Sequence, residues 1–439
     1  MAELEARLGT NSSNSSLPPS ANPLGAPKPV KKKKSRRKPG GQPGHPPHLR
    51  QLLPPERVNH VKPFVPKQCE RCAADLPARP SLGDPEPTRF QTIELPPVVA
   101  FVTEFQGHAR TCPCCGHLTH AVIPAEVRAH SVGPRLTGTL SYFSGCHGLS
   151  KRSVEEIADA VFDAPIALGT VCNLEQEVSA ALEAPHQEAV AAVRAAEVKN
   201  ADETSWKLAG KLCWLWAAAT STVVAFVIHA RRSVAGLTAI LGSEVLGILC
   251  SDRWGPYNRV PPQRRQVCWA HLKRDFQKII DRGGPGESVG RAGLRLVKKV
   301  FAAWHEFREG KVTRAQLEAQ LAPVMSQVNR VLLEGALLGS EAAVVQFCEN
   351  VLALEPALWT FVTTAGVEPT NNHVERLLRR AVLWRRRSFG CWSANGCRFV
   401  ERILTVVQTR RLQGKSVLDY LHDAVLAHRT GQPCPPLIS

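Results

Sequence analysis

The chain opens without the apolar core of a secretory signal: its first residues, M-A-E-L-E-A-R-L, are polar and acidic. That absence argues against the oxidising compartments in which disulfides persist, so the fourteen cysteines are not read as a disulfide framework. Nor is there an unbroken apolar run of membrane-spanning length. The nearest, L-C-W-L-W-A-A-A-T-S-T-V-V-A-F-V-I-H-A (212–230), is interrupted by Thr220-Ser221-Thr222, carries His229 and reads as a buried hairpin. Acid is scarce relative to base: 38 Asp and Glu stand against 55 Lys and Arg, a formal net charge of +17. Solubility does not require so one-sided a balance, whereas a polyanionic partner does, nucleic acid before membrane. With no internal repeat, the 439 residues read as about two to four distinct domains.

Charge and turn residues divide the chain. After a short helical start, residues 1–27 turn to Asn, Ser and Pro, a linker composition. Residues 28–50 hold no acid and centre on K-K-K-K-S-R-R-K (31–38), so residues 1–60 read as a linker and flexible basic arm. Lys31, Lys32, Lys33, Lys34, Arg36, Arg37 and Lys38 are its candidate phosphate contacts. Residues 61–130 carry C-E-R-C (69–72) and C-P-C-C-G-H (112–117). Cys69, Cys72, Cys112 and Cys115 have the spacing of two knuckles that complete one tetrahedral Zn²⁺ site, a zinc-ribbon pattern. Cys114 is a spare neighbour, and His108 or His117 could replace a ligand. The intervening Q-T-I-E-L-P-P-V-V-A-F-V-T-E-F (91–105) is apolar enough to be expected as strands. Residues 131–195 predict two short helices, 149–162 and 165–178, around a tight turn. Ser150 or Ser153 would cap the first. A helix-turn-helix there would offer Thr170, Asn173 and Gln176 to a DNA groove.

From residue 196 the pattern changes to strands: one to Asp202, the hairpin, a helix over 233–242, one to Asp252, and a short one near 266–268. The helical run W-A-H-L-K-R-D-F-Q-K-I-I (269–280) follows. Residues 287–355 read as a helical insertion, because the acid that completes the site comes after them. That acid, Glu375, lies in T-N-N-H-V-E-R-L-L-R-R (370–380), where Pro369-Thr370-Asn371-Asn372 is a strong helix start. Asp202 and Asp252 at strand ends and Glu375 in a first helical turn can converge on one pocket. Three such carboxylates are the hard oxygen ligands of Mg²⁺ or Mn²⁺ and of two-metal phosphoryl transfer. Alternation puts Asp202 and Glu203 on opposite faces, and Asp202 is the one assigned to the site, with Glu203 read as a solvent-facing or capping residue. Glu368 is a weaker rival, held extended before Pro369. Residues 376–402 carry eight Arg against the single acid Glu401. Arg376, Arg379 and Arg380, with Lys273 and Arg274, are the further candidate DNA contacts.

These segments in this order resemble the insertion-sequence-66 family of bacterial DDE transposases. The shared motifs are N-S-S-N-S-S (11–16), K-P-G-G-Q-P-G-H (38–45), the two Cys knuckles, A-D-E-T (201–204) and S-D-R-W-G-P-Y-N (251–258). They continue with C-W-A-H-L-K-R-D-F (268–276), V-E-P-T-N-N-H-V-E-R-L-L-R (367–379) and S-F-G-C-W-S-A-N-G-C-R-F-V-E-R-I-L-T (388–405). The family's longer leucine-rich start is represented only by E-L-E-A-R-L (3–8). The resemblance implies an α/β protein with a ribonuclease-H-like mixed-sheet catalytic core (196–411) acting through Asp202, Asp252 and Glu375. A zinc-finger segment and a small helical segment would precede this core, and a C-terminal helix and tail (412–439) would follow.

The resulting expectation is metal-dependent strand cleavage and strand transfer at the ends of a mobile element. Its partners would be element-end and target DNA, further copies of the chain on that DNA, and accessory proteins of the element, with no membrane. The expected location is the bacterial cytoplasm, at the nucleoid. Two alternatives are a catalytically silent DNA-binding derivative, against which the intact acid triad argues, and a nuclease with the same core, against which the added DNA-binding segments argue.

Overall fold

A computed structural model describes residues 51–438 except 80 and 82. The basic arm at 31–38 lies outside the described residues. The described residues form two compact units, 51–99 and 100–438. In the smaller, Gln91 ties the segment together: its side-chain oxygen accepts the Leu53 N–H at 2.8 Å and its amide donates to the Leu53 carbonyl at 3.0 Å. The strands expected over 91–105 do not form. Pro96-Pro97 removes two consecutive ladder donors from the middle of that run, and Ile93, Leu95, Phe101 and Val102 stay exposed.

The larger unit begins with a short hairpin, Ala109–Thr111 with Leu118–His120. After a single helical turn (Ala125–Arg128), four longer helices follow: α1 (Pro134–His147), α2 (Lys151–Phe162), α3 (Leu168–Ala181) and α4 (Glu183–Ala195). Ser150 caps α2 by accepting the Ser153 N–H at 3.1 Å. The sheet comes next, as β1 (Val198–Leu208), β2 (Lys211–Ala219), β3 (Val224–His229), then helix α5 (Val234–Leu241), β4 (Ile248–Ser251) and β5 (Arg265–Val267). The strand order is β3-β2-β1-β4-β5. The first three strands are antiparallel neighbours, and β4 and β5 run parallel to β1. The β2–β3 turn is closed by the Thr220 hydroxyl, which accepts the N–H groups of Thr222 and Val223.

Helices α6 (Trp269–Arg282), α7 (Glu287–Arg308), α8 (Arg314–Leu337), α9 (Ala342–Leu352) and α10 (Glu355–Thr363) separate the sheet from α11 (Asn372–Ser388), α12 (Ala394–Leu412) and α13 (Val417–Thr430). They share one core, to which α6 contributes Phe276, α7 Val297 and Val300, α8 Leu321 and α9 Cys348. Gly293 lets α7 lie against the Phe276 ring, where any Cβ would clash. The two sheet faces are covered differently. Ala201, Trp216 and Ala218 point to α4 and α5. Trp206, Leu215 and Ala217 point to α11 and α12, whose Val374, Leu377, Leu378 and Ala381 form a stripe at helical spacing. The helices before the sheet belong to the same packing: Val178 and Leu182 share a core with Ile403 of α12 and Leu421 of α13. Among the described residues, no helix is long and apolar enough to cross a membrane.

Candidate active site

Strand register brings the two aspartates level. Asn200 pairs with Cys250 across the parallel β1–β4 ladder, so Asp202 and Asp252, each two residues further on, reach the same height with the same facing. Asp202 is not at a strand end, as expected from sequence. β1 runs on to Leu208, with Asp202 opposite Ala217 of β2. What ends near Asp202 is the parallel neighbour, whose partners stop at Asn200. Beyond that point the β4 side of Asp202 has no ladder partner. Asp252 ends its own strand, and its Oδ1 accepts the Trp254 N–H at 2.9 Å, which holds the turn. Glu375 enters from the first turn of α11.

The three carboxylates act on one another. Asp202 is held well above the usual carboxylate range, first by burial and then by the charges of Glu203, Glu375 and Asp252. Burial also raises Glu375; the neighbouring Asp252 adds to the shift, while Arg274, Arg376 and Arg379 oppose it. The mutual repulsion makes the cluster suited to a cation. The Oε1 atom of Glu375 fits the same description, being buried with no hydrogen-bond partner among the described residues.

Glu203 departs from the reading of a solvent-facing or capping residue. Its side chain is fully buried on the opposite face, paired with Arg232 at 2.7 Å and accepting the Tyr257 hydroxyl at 2.6 Å. Trp206 and Tyr257 are core residues. Trp254 packs against Tyr257 and lies under the Arg232 guanidinium, 4.4 Å from its ring centre.

Two residues of the site carried little sequence signal. Asn371, fully buried, donates its amide to the Ala201 carbonyl at 2.8 Å and accepts from the Asn200 amide at 3.0 Å. Its own N–H meets the Cys268 sulfur at 3.2 Å. Sequence marked it only as a helix start. His271 sits one turn into α6, its Nδ1 3.7 Å from Glu375 Oε1 and likewise unpartnered. Cys268, His271 and Glu375 each offer a ligand atom within 4.8 Å of the others. The Cys268 thiol is pushed up to about 12 by burial and is already engaged by Asn371, which leaves His271 and Glu375 as the open donors.

The expected basic contacts separate into two groups. Lys273, Arg376 and Arg379 are exposed and Arg274 is half-buried. The three arginines lie within electrostatic reach of Glu375. Arg380 instead turns toward the Cys146 sulfur. Elsewhere in the Arg-rich segment, Arg385 is spent on Thr204 and Ser205, and Arg402 on Glu183 and the Ser179 carbonyl. In the helical segment, Asn173 and Gln176 of α3 are exposed and Thr170 is half-buried.

The cysteine pairs fall in different units but have the same local geometry. At Cys69–Cys72, the Cys69 N–H donates to the Ala74 carbonyl and the Ala73 N–H to the Cys69 carbonyl. At Cys112–Cys115, the Cys112 N–H donates to the His117 carbonyl and the Gly116 N–H to the Cys112 carbonyl. Ala73 (φ 59°) and Gly116 (φ 71°) occupy the same left-handed position. Backbone N–H groups of Arg71 and Cys72 hold the Cys69 thiol below its ordinary value, and those of Cys115 and Cys114 do the same for Cys112.

Residues 132–398 match the family model described as Transposase IS66 family. Residues 1–51 match a family of unknown function. An uncharacterized protein of Sinorhizobium fredii (strain NBRC 101917 / NGR234), y4qI, is 26% identical over 203 residues, covering 43% of this chain and 37% of that protein. The chain therefore spans 37% of the length of this curated relative.

Proposed function

The chain belongs to the IS66 family of transposases, and from that premise we propose that it cleaves DNA strands at the ends of a mobile element and joins them to a target. The observation that supports this reading is that Asp202 and Asp252 stand level on adjoining strands with Glu375 within electrostatic reach, the Asp202 carboxyl being raised first by burial and then by the charges of Glu203, Glu375 and Asp252. A ribonuclease-H-like core is supported by the β3-β2-β1-β4-β5 order with antiparallel β1–β3.

In this reading the three acids are ligands for Mg²⁺ or Mn²⁺. Divalent cations bound there would supply Lewis-acid stabilisation of the phosphoryl group and a nucleophile at neutral pH. The remaining work belongs to the chain. Arg274, Arg376 and Arg379 surround Glu375 and would bind the phosphates flanking the scissile bond. Asn371 fixes the start of α11 to β1 and so sets where Glu375 lies relative to Asp202. His271 Nδ1 lies 3.7 Å from Glu375 Oε1 with no hydrogen bond between them and would offer a further nitrogen donor beside it. Glu203, paired across the sheet, supports the strand without entering the site.

Residues 61–130 would form a zinc ribbon through Cys69, Cys72, Cys112 and Cys115, supported by the matching knuckle geometry. With the basic arm (1–60) and the helical segment (131–195), it would hold DNA ends for the core at 196–411 and its insertion at 287–355. A strand-transfer assay with defined element ends, target DNA and Mg²⁺ tests the proposal. Wild type should form joined product and Asp202→Asn none. A chain that binds ends but does not cut, whichever divalent cation is supplied, would be a silent derivative; one that cuts without joining would be a nuclease.

A further inference from the structure

The loop between α11 and α12 holds two aromatic side chains in water on a backbone that cannot easily move. Phe389 is 72% exposed and Trp392 84% exposed, although indole rings are on average well buried. The backbone beneath them is tied to the end of β1. The Cys391 N–H donates to the Lys207 carbonyl and the Ala209 N–H to the Cys391 carbonyl, each at 2.8 Å. The Trp206 indole N–H reaches the Cys391 sulfur at 3.4 Å. Gly390 (φ 115°) presses onto Lys207 where any Cβ would collide with its carbonyl oxygen. Phe389 itself takes a left-handed conformation (φ 60°), strained for a residue with a side chain. Ser393 then caps α12 by accepting the Gly396 N–H at 3.0 Å. A fixed loop that displays two large rings is built to present them, not to bury them.

The surroundings favour a nucleic acid as occupant. Exposed cations sit on the three segments that meet here: Lys207 and Lys211 on the β1–β2 hairpin, Arg387 before the loop and Arg398 after it. The carboxylates within electrostatic reach of Cys391 are Glu401, bonded to the Ile228 N–H, and Glu175, paired with Lys151. Cationic flanks around aromatic rings are what base stacking with backbone tracking requires. Two independent rulers place the tip. The fourteen residues from Glu375 to Phe389 along α11 span about 21 Å, and the six from Asp202 to Leu208 along β1 span about 20 Å. DNA with its scissile phosphate at the acids would pass the tip roughly six base steps away, at about 3.4 Å per step.

We propose that Phe389 and Trp392 form a base-stacking tip that engages unpaired or unstacked bases of bound DNA, about six nucleotides from the cut. It rests on the proposed function only for DNA as the polyanion. The test uses the full chain without chelator and without added Mg²⁺ or Mn²⁺, so that zinc stays in place while cleavage is withheld, with fluorescence polarisation on two probes of equal length: a fully paired duplex and one with a short unpaired bubble. Trp392→Ala should weaken binding to the bubble about tenfold or more, change paired-duplex binding less than about twofold, and abolish most DNA-induced quenching of tryptophan emission. Trp392→Phe should restore most of the bubble affinity, and Phe389→Ala should show the same selective loss as Trp392→Ala. If wild type binds both probes and Trp392→Ala and Phe389→Ala lose nothing, or lose equally on both, the tip is overturned while the transposase reading stands. If wild type binds neither probe, DNA as the partner is overturned. If Trp392→Ala instead changes the oligomeric state of DNA-free protein, the rings serve self-association and the proposal fails.

Discussion

Asn371 donates its side-chain amide to the carbonyl oxygen of Ala201, the residue before Asp202, at 2.8 Å. This bond joins the helix that carries Glu375 to the strand that carries Asp202, so acids far apart in sequence are held in one frame. Asn371→Ala removes the donor and leaves the Ala201 carbonyl and the Asn200 amide unpaired in a buried setting, at a cost of about 1–3 kcal/mol. A displaced Glu375 should also slow cleavage by about 10²-fold, because small misplacements of catalytic groups are that costly. Thermal denaturation and single-turnover cleavage check the two effects separately. Full activity in a destabilised Asn371→Ala would mean that the bond serves folding alone.

Neighbouring acids on β1 should respond differently. Asp202 is buried among like charges, so Asp202→Asn should raise Tm by on the order of a few degrees without added Mg²⁺ or Mn²⁺, while cleavage is lost. Glu203 is paired with Arg232, whose side chain is 36% exposed, and with Tyr257. Burial raises the Glu203 carboxyl while Tyr257 and Arg232 oppose the shift, so Glu203→Gln gives up the Arg232 pair together with the cost of a buried charge; Tm should change by no more than on the order of a few degrees and cleavage should stay within about tenfold. Melting curves and cleavage rates of the two variants, measured side by side, give the answer. A destabilised Asp202→Asn would contradict the charge clustering.

Glu401 provides a pH signature remote from the acids. Burial pushes its carboxyl from 4.5 up to about 7, with the Ile228 N–H partly opposing the shift. The folded pKa is raised, so between those values the unfolded chain gives up this proton before the folded chain does. The group's contribution is thus fully present below pH 4.5, falls as pH rises, and is gone above about 7. Glu401→Gln retains an acceptor for Ile228 without the charge. Its Tm should exceed wild type by on the order of a few degrees at pH 8 and match it near pH 4.5. A pH-independent difference would rule out this linkage.

The two knuckles should hold metal. Purified protein never exposed to chelator should contain about one Zn²⁺ per chain, and Cys69→Ser or Cys115→Ser should lose it. Those variants should also destabilise residues 61–130; elemental analysis reads the zinc and limited proteolysis across 61–130 the destabilisation. Protein without zinc would remove the ribbon.

Much of the mixed sheet was legible because its signals are local. The hairpin declared itself through β-branched runs around Thr220, and Asp252 through the turn that Gly255-Pro256 begins. What sequence missed depends on pairing. β1 continues past Asp202 because β2 pairs with it as far as Leu208, and a strand's length is set by its partner. The buried Glu203 could not be told from a surface acid, since Arg232 and Tyr257 reach it from other segments. Asn371 looked like a helix cap and His271 equally like a substrate contact or a core or capping histidine, and their meaning lies in the distances to Ala201 and Glu375. The eight-arginine segment read as one surface, yet Arg385 and Arg402 spend their donors inside the protein.

The central claim is that the three carboxylates are metal ligands in DNA cleavage, and a cation-specific rescue tests it most directly. Mg²⁺ takes hard oxygen donors, whereas the softer Mn²⁺ tolerates a thiolate. Asp252→Cys should therefore lose cleavage of element-end DNA in Mg²⁺ and recover about tenfold or more in Mn²⁺, with wild type active in both. Wild-type-like cleavage by Asp252→Cys in Mg²⁺, or equal loss in both cations, would contradict the account.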